Sequence, residues 1–486
     1  MFQTYSFVFI FLPVLLAGWY LLLKMGFGRA ALSFLCLMSL LFYASFGIRP
    51  FLIFFSCTAV TFLLSRLMCS AAFLANDKKR YALAATGVVL NLALLLLFKI
   101  PPSLRAFLPV GLGFYTLRHI ACLIDLAKDG DAKEDPLASL SFLLFFPALA
   151  QGPVTLREDL IPQFTAVTKR PFRAESLARG LSRFILGLSK KMLLADTIGL
   201  FVDTCYAYLY RTELCSAAVA VFLYVPQLYF DFSGYCDMAD GVSEMLGFTL
   251  PVNFDSPLQQ SSPARFWRHW HMTLSRFFQR YLYLPLGGNR KGRVRTACNL
   301  MLVFLVSGFW HGSTVGYLIW GALAGLPVCL SALCKGTALL APFLHLPARL
   351  RTLLHFIWVS IAFVFFRAPD VATALELLQH LFLPVPLSRA FIRVLPTLAV
   401  TPESWLITNL SARINPAWEE GAAWLLALLL LAVTIVCLNM KNVRRRITDA
   451  SASRFASLPF VLFLSVLLVW SVLSFTGVGS FLYFRY

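Results

Sequence analysis

Long apolar windows recur along almost the whole chain, separated by short polar or basic connections. Each window approaches the length that an α-helix needs to cross a hydrocarbon core of about 30 Å. The thirteen windows lie at 6–23, 30–47, 51–68, 81–98, 108–126, 138–152, 183–202, 214–230, 297–312, 315–334, 352–366, 421–439 and 457–478. The window 183–202 is interrupted by two lysines, and 138–152 ends in the run Gln151-Gly152-Pro153. We therefore predict about ten to twelve spans, with interfacial or re-entrant helices at the remaining windows.

This pattern predicts an all-α fold, a polytopic transmembrane helical bundle with one membrane domain over 1–486. The composition agrees, because 59% of the residues are hydrophobic and 13% are charged, whereas soluble domains carry roughly 25% charged residues. A soluble multi-domain protein and a disordered chain are both excluded. The stretch 384–420, rich in proline and polar residues, is predicted to be a long surface loop.

The chain carries 42 basic and 23 acidic residues, a net charge of +19. In a membrane protein, basic loops stay in the cytoplasm and contact anionic headgroups. The basic connections after the first, third and fifth windows then place the N-terminus outside, and Lys441 with Arg444–446 inside. With no soluble module to carry nucleic-acid binding, we expect no nucleic-acid partner; the lipid bilayer is the expected one.

Eleven cysteines are scattered through the chain, and no two form a C-x-x-C pair. We therefore expect buried, small hydrophobic side chains and neither a metal site nor a disulfide framework. The first apolar window lacks a basic segment before it and a cleavage site of small residues after it. It is predicted to be a retained first span and not a signal peptide.

The segment 227–312 departs from the apolar pattern and is the predicted catalytic core. It begins with Asp231 and Asp237 at the end of a membrane window, where a carboxylate is costly to bury and needs a partner or water. Two interpretations stay open. The carboxylates either pair with nearby arginines at a cytoplasmic interface or take part in substrate binding.

An aromatic and basic stretch over 263–283 follows, which we treat as one helix turning about 100° per residue. One face is aromatic and apolar, running from Phe266 through Trp270 to Tyr281, and a second is basic. A third carries Trp267 and His271. The first two faces are typical of an interfacial helix. A Gly-Gly-Asn turn at 287–289 follows, with no P-loop ending.

His311 lies deep in an apolar segment between two glycines, Gly308 and Gly312. An ionisable residue within a membrane segment indicates function, although a hydrogen-bonded core histidine is the alternative. The neighbourhoods of His271 and His311 lack the residues of a covalent triad, which favours general-base chemistry. Burial keeps an imidazole neutral, the form that a base requires.

These motifs resemble the membrane-bound O-acyltransferases, specifically the bacterial branch that acetylates alginate and, more distantly, the branch that transfers D-alanine to teichoic acids. The resemblance covers nearly the whole chain in order, and its strongest matches are Tyr229–Tyr235, Asn253-Phe254, Phe266–His271, Tyr283–Arg290 and Trp310–Gly312. Weaker matches include Gly187–Lys191 and the tail 481–486. The sequence departs from the family pattern at His269 and after Gly152-Pro153.

The resemblance implies a helical fold around a central tunnel, with an acyl donor entering from the cytoplasm and an acceptor from outside. His311 matches the family's signature histidine and is expected to be the general base. His271, forty positions earlier, matches a second polar residue and is expected to orient or polarise the acyl carbonyl. The residues expected to contact substrate are Asn253, Asp231, Trp267, Arg268, Trp310, Arg265, Arg276 and Arg280.

The expected reaction moves an acyl group, an acetyl group in this branch, across the membrane toward hydroxyls of an exported cell-surface polysaccharide. The hydroxyl that attacks the thioester belongs either to the final acceptor or to a carrier. No permanently bound cofactor is expected; the donor is a thioester, acetyl-CoA or an acyl carrier protein, used as substrate. The family implies the bacterial inner (cytoplasmic) membrane and an esterase-like acetyltransferase partner in the periplasm or outside the cell. The other classes are a polysaccharide or proton-coupled transporter and a scaffold of an export complex. No inverted repeat supports transport.

Overall fold

The computed structural model describes residues 2–105, 107–129, 134–167, 173–207, 214–335, 337, 341–382, 431–449, 455 and 457–477. These residues are predominantly helical, and no strand occurs among them, which confirms the predicted all-α class. The predicted loop 384–420, the first ten residues of the window 421–439 and the tail 481–486 lie outside the described residues.

Six helices of the described ranges are long and apolar enough to cross a membrane. They are Phe7–Lys24, Ile48–Met68, Asp77–Lys99, Gly292–His311, Val315–Leu333 and Ala348–Arg367. Two shorter apolar helices, Gly28–Ala44 and Leu458–Leu473, match two further windows. The chain is therefore a multi-pass membrane protein. The count of about ten to twelve spans stays a prediction.

The windows with interruptions in their apolar pattern are indeed irregular. The window 138–152 holds a short helix, Pro136–Leu144, followed by a 3₁₀ turn at Phe146–Ala148. The window 183–202 changes from an α-helix to a π-helix at Lys190–Ala195, the segment that contains the two lysines. Pro147 lacks the backbone N–H that a continuing α-helix would use. A π-helix also occurs in the first window, at Phe7–Phe11, so polar residues are not required for this irregularity.

The chain divides into two compact units, each made of several separate segments. The first comprises Met1–Phe184, Cys236–Val252 and Ile447–Phe460. Its helices, in chain order, are α1 Leu12–Lys24, α2 Gly28–Ala44, α3 Ile48–Met68, α4 Ala71–Leu74, α5 Asp77–Lys99, α6 Pro102–Arg105, α7 Leu112–Asp129, α8 Pro136–Leu144, α9 Arg157–Thr165 and most of α10 Ala174–Ser189.

In this first unit, α10 approaches the segment beginning at Cys236 closely enough to require glycine. A Cβ placed on Gly180 would lie 2.6 Å from the carbonyl oxygen of Gly241, and the reverse also holds. One turn further on α10, Arg183 forms ion pairs with Asp240 at 2.8 Å and Glu244 at 2.7 Å. Small residues permit this close approach, and the carboxylates neutralise the buried guanidinium.

The second unit comprises Ile185–Tyr235, Asn253–Arg446 and Val461–Tyr486, and every sequence-predicted site residue except Asp237 falls in it. Its helices are α11 Asp196–Ala207, the first part of α12 Leu214–Met245, α13 Pro263–His269, α14 Met272–Phe278, α15 Gly292–His311, α16 Val315–Leu333, α17 Ala341–His345, α18 Ala348–Arg367, α19 Val371–His380, most of α20 Val443–Thr448 and most of α21 Leu458–Leu473. Residues 431–439 are also helical.

The glycines beside His311 let α15 and α16 pack with their backbones in contact. A Cβ on Gly321 would lie 2.6 Å from the carbonyl oxygen of Phe304. A Cβ on Gly308 would collide with the Tyr317 carbonyl, and one on Gly312 with the Tyr317 ring. Glycine at these positions therefore fixes the end of α15, and with it the position of His311.

Candidate active site

His271 occupies a break between two helices and not the middle of one. Helix α13 ends at His269, Trp270 is extended, and His271 adopts the left-handed conformation with φ 46° before α14 begins at Met272. The prediction of one continuous helix over 263–283 is therefore wrong. A further change, from α-helix to π-helix, occurs at Gln279–Tyr283. A non-glycine residue in this conformation is uncommon and is held by its surroundings.

The apolar face that the periodicity predicted is nevertheless buried, because both helices keep it directed inward. Phe266, Trp270, Leu274 and Phe277 are at most 5% exposed. The rings of Phe266 and Trp270 stack with centroids 5.5 Å apart. The break changes where His271 lies, but it does not change which residues form the core.

An extended segment beginning at Asn253 holds the break in place. The Asn253 carbonyl accepts from the backbone N–H of Met272 at 2.8 Å, and the Asp255 N–H donates to the His269 carbonyl at 3.0 Å. The Asn253 side-chain oxygen contacts three groups: His271 Nδ1 at 3.1 Å, the Thr273 N–H at 3.2 Å and the Thr273 hydroxyl at 2.8 Å. Asn253 therefore fixes both the backbone and the ring of His271.

Aromatic rings surround the His271 imidazole, which is 3% exposed. Phe232 meets it edge-on at 4.8 Å, Phe254 lies 6.4 Å away, and Trp310 lies 6.2 Å away. His271 lies outside the six candidate membrane helices, and burial lowers its pKa to about 3. The imidazole is therefore neutral at physiological pH.

His311 is the last residue of α15 and is 6% exposed. Its ring lies 4.8 Å from Trp310, 5.1 Å from Trp320 and 5.3 Å from Phe366, measured between centroids. The half-buried Trp267 extends this aromatic layer, since its ring lies 5.9 Å from Trp320. The sequence-predicted burial of His311 is thus found in the structure.

The two histidines lie side by side, with ring centroids 6.5 Å apart. Trp310 contacts both rings. Asn253, His271, Trp267, Trp310 and His311 therefore form one cluster within the second unit, which we call the histidine cluster. Its walls are aromatic, and its polar groups are two imidazoles and an amide.

Asp231 has a different partner from the arginines that one interpretation proposed. The Lys191 ammonium lies 2.5 Å from Asp231 and 2.7 Å from Asp196, and Asp231 and Lys191 are each 1% exposed. The cation that the structure places against Asp231 is thus a lysine of the π-helix at Lys190–Ala195, and pairing with arginine stays a prediction. Substrate binding by Asp231 stays a prediction, as does the role of Asp237.

The sequence prediction did not include Lys191 in the site. A lysine within an apolar window nevertheless indicates that an anion must lie close to the ammonium group. The ion pair joins the π-helix to α12, next to Phe232, which contacts His271. A buried lysine without a carboxylate is strongly unfavourable. Lys191 and Asp231 therefore position the wall of the histidine cluster.

The predicted arginines differ in their exposure. Arg265 and Arg268 are exposed on α13, whereas Arg276 and Arg280 are half-buried. The guanidinium of Arg280 lies over the Tyr281 ring at 5.6 Å. The structure places these residues on the short helices that carry His271, and their contact with substrate stays a prediction.

The glycine-rich turn at 287–289, which follows the π-helix at Gln279–Tyr283, is anchored to α15. Asn299 donates to the carbonyl of Gly288 at 2.9 Å, and Gly287 and Gly288 have φ angles of 101° and 56°. Left-handed angles at consecutive positions explain the paired glycines. Among the residues that the structure describes, no group of three or more histidine, cysteine or acidic side chains is arranged to hold a metal ion.

Comparison with known proteins agrees with this arrangement. Residues 131–367 match the model of the MBOAT, membrane-bound O-acyltransferase, family. The chain is 32% identical to a peptidoglycan O-acetyltransferase of Helicobacter pylori over 78% of this chain and 79% of the relative. It is 33% identical to the probable alginate O-acetylase AlgI of Pseudomonas aeruginosa over 78% and 74%.

A more distant relative is a teichoic acid D-alanyltransferase of Bacillus subtilis, 29% identical over 46% of this chain and 58% of that protein. The matched family region contains both histidines and the glycines that position His311. The sequence, the fold and these relatives together show that the chain belongs to the membrane-bound O-acyltransferase family and is an acyltransferase.

Proposed function

We propose that this protein moves an acetyl group from a cytoplasmic thioester across the membrane toward hydroxyls of an exported cell-surface polysaccharide, with His311 as general base. The observation that supports it most is the histidine cluster: two imidazoles with ring centroids 6.5 Å apart, buried among aromatic rings. The reaction of a thioester with a hydroxyl requires a proton acceptor and two aligned reactants. The histidine cluster has the groups to meet both requirements.

In the proposed step, the acceptor oxygen attacks the thioester carbonyl while His311 takes the hydroxyl proton. The new C–O bond forms, the C–S bond breaks, and the proton passes from His311 to the leaving thiolate. To accept that proton, His311 must begin the reaction in its neutral form. A general base of this kind contributes typically about 10²–10⁴-fold to the rate.

We propose acetyl-CoA or an acyl carrier protein as donor, because both present an acidic phosphopantetheine arm. Arg265 and Arg268 are exposed on the helix that leads to His271, and exposed cations attract such a donor from the cytoplasm. Arg276 and Arg280 then contact the arm closer to the reacting carbonyl. Trp267 and Trp310 would line the path of the acyl group.

We infer the acceptor class from the relatives. The two relatives that match over 79% and 74% of their own length are named for acetylating peptidoglycan and alginate, which are both polysaccharides. The acetyl group that this chain transfers is accordingly destined for a glycan hydroxyl. An esterase-like acetyltransferase outside the membrane would complete the transfer.

We further propose that the protein lies in the bacterial inner membrane with its N-terminus outside. The connection Lys78–Arg80 and the basic helix that contains Arg444–Arg446 then face the cytoplasm, as the distribution of basic loops predicts. In this orientation the donor reaches the site from the cytoplasm and the glycan from the opposite side.

The experiment is a comparison of surface glycans by mass spectrometry in cells with and without this protein. We expect O-acetyl groups on one glycan to disappear without it and to return when it is restored. Unchanged acetylation of every surface glycan would contradict the proposal. Purified protein supplied with acetyl-CoA and the affected glycan then tests the donor directly.

A further inference from the structure

The segment 253–259, whose first residue contacts His271, is held by residues 438–446, far along the chain. Three side-chain contacts join the two segments: Asn442 donates to the Phe254 carbonyl, Arg445 pairs with Asp255 at 2.6 Å, and Gln259 donates to the carbonyls of Leu438 at 2.7 Å and Met440 at 3.0 Å. All of these contacts lie within the second unit. Residues 438–446 lie outside the region 131–367 that matches the family model, so the match assigns them no role.

Asn442 is buried and uses both ends of its side-chain amide. One end accepts from the backbone N–H of Arg444 at 3.1 Å, and this contact caps α20, which begins at the next residue, Val443. Because a backbone N–H can only donate, the capping atom is the amide oxygen, and the amide nitrogen faces the Phe254 carbonyl. Asn442 therefore ties the start of α20 to the segment 253–259.

Asp255 joins α20 to the end of α13. Its carboxylate is 13% exposed and pairs with Arg445 of α20. The same carboxylate oxygen lies 3.9 Å from His269 Nε2, and the Asp255 N–H donates to the His269 carbonyl at 3.0 Å. A largely buried carboxylate needs a compensating charge, and Arg445 supplies it.

These contacts bear on His271 through the backbone on both sides of it. The left-handed conformation is strained for a residue other than glycine and persists where its surroundings hold it. Asn253 and Asp255 pair with Met272 and His269, which flank the break. Loosening the segment that carries Asn253 and Asp255 would let the break relax and would displace the imidazole of His271.

We propose that Asn442, Arg445 and Asp255 are positioning residues of the acyl transfer: they hold the segment 253–259 and thereby fix the imidazole of His271. They act through Asn253 and the backbone of the break. The proposal rests on the proposed function, for which His271 is expected to orient or polarise the acyl carbonyl. It adds to the site a part of the chain that lies beyond the family match.

The position of His271 is measured by ¹⁵N spectroscopy on purified full-length protein labelled at its seven histidines. The signals missing from His271→Gln belong to His271. We expect these signals to shift in Arg445→Gln and in Asn442→Asp, and to stay unchanged in Arg446→Gln. Arg446 is the matched control, because it is an exposed arginine on the same helix that contacts the Met440 sulfur. Unmoved His271 signals in Arg445→Gln and Asn442→Asp would overturn the proposal whatever their activity.

Two of the substitutions isolate the contacts that matter. Asn442→Asp keeps the cap of α20, since aspartate caps a helix as well as asparagine, but its carboxylate has no hydrogen for the Phe254 carbonyl. Arg445→Lys keeps the positive charge beside Asp255 and should retain both the His271 signals and the activity. Signals displaced as far in Arg445→Lys as in Arg445→Gln would contradict the role of the charge.

Kinetics separate positioning from binding of the donor. Thiol release from acetyl-CoA is measured in membrane vesicles of the host that contain equal amounts of each variant, with vesicles lacking the protein as background. We expect kcat to fall at least about fivefold in Arg445→Gln and Asn442→Asp, within the roughly 10²-fold that a displacement of about 1 Å can cost. The KM for acetyl-CoA should stay unchanged, and Arg446→Gln should match the unmodified protein.

A raised, salt-dependent KM with normal kcat in Arg445→Gln would show that Arg445 attracts the donor, and would overturn the proposal. Normal kcat in both Arg445→Gln and Asn442→Asp would overturn it as well. Absence of thiol release with the unmodified protein would contradict the proposed function with this donor. The His271 signals would then still decide whether residues 438–446 position the imidazole.

Discussion

The imidazole rings of His271 and His311 lie 6.5 Å apart although forty residues separate them in the chain. Each ring is positioned by a different device. Asn253 holds His271 through its side chain, whereas glycines at the end of α15 hold His311 by permitting close backbone packing. The geometry of the site therefore depends on residues beside the histidines as well as on the histidines themselves.

Breaking the buried ion pair of Lys191 and Asp231 should destabilise the protein strongly. Asp231→Asn removes one of the two carboxylates that the structure places against the Lys191 ammonium. Because Asp196 still compensates the charge, we expect a cost of about 1–3 kcal/mol, below the roughly 3–5 kcal/mol of an uncompensated buried charge. We expect a matching fall in the free energy of unfolding, measured by denaturant titration in detergent.

The matched control is the exposed pair of Arg29 and Asp135, in which the arginine side chain is 71% exposed. Arg29→Gln should change the free energy of unfolding by less than about 1 kcal/mol. Similar losses for Arg29→Gln and Asp231→Asn would show that burial does not set the contribution of the Lys191 pair.

Adding a methyl group at Gly308 should displace His311. The new Cβ would collide with the Tyr317 carbonyl, and overpacking costs typically about 1–3 kcal/mol. Displacing a catalytic group by about 1 Å can lower the rate roughly 10²-fold. We expect Gly308→Ala to lose most acyl transfer, measured by thiol release, while Ser307→Ala on the preceding position retains it. Full activity in Gly308→Ala would contradict the role of this contact.

The protein should lose stability in mild acid through His271. Its pKa lies near 3 in the fold, below the ordinary value of 6.5, so the unfolded chain binds the proton more tightly. This contribution is present above pH 6.5 and declines as the pH falls toward 3, by up to about 1.4 kcal/mol per pH unit. His271→Gln should flatten this part of the pH profile of unfolding. Identical pH profiles of unfolding for the unmodified protein and for His271→Gln would contradict this prediction.

Removing the exposed positive charges of α13 should weaken binding of the donor and leave chemistry intact. The double variant Arg265→Gln, Arg268→Gln is expected to raise the KM for acetyl-CoA several-fold at low ionic strength, with kcat unchanged. The difference should shrink as salt screens the charges. Arg29→Gln, an exposed cation in the other unit, serves as control. A salt-independent loss of kcat would point instead to a direct role in the reaction.

The length of the apolar windows predicted the long membrane helices, and the helical periodicity predicted the buried positions from Phe266 to Phe277. The periodicity failed at Trp270 and His271, where the break is imposed by hydrogen bonds from Asn253, eighteen residues earlier. A local pattern carries no information on such a partner. The periodic face survived because the residues on both sides of the break still bury the same side chains.

The pairing of Asp231 shows the same limit for charges. The sequence indicated that a carboxylate in an apolar segment needs a cation, and arginines were abundant nearby. The actual cation, Lys191, precedes it by forty positions and was visible only as an irregularity in an apolar window. Burial of Asp231 creates the need for a cationic partner, but the tertiary fold decides which cation that partner is.

Acetylation of the cell-surface glycan by the variant His311→Ala tests the role of His311 as general base most directly, with His345→Ala, an exposed histidine, as the matched control. Both proteins should reach the membrane at the level of the unmodified protein. We predict that O-acetyl groups, measured by mass spectrometry, disappear in His311→Ala and persist in His345→Ala. Normal acetylation in a folded His311→Ala protein would contradict this role.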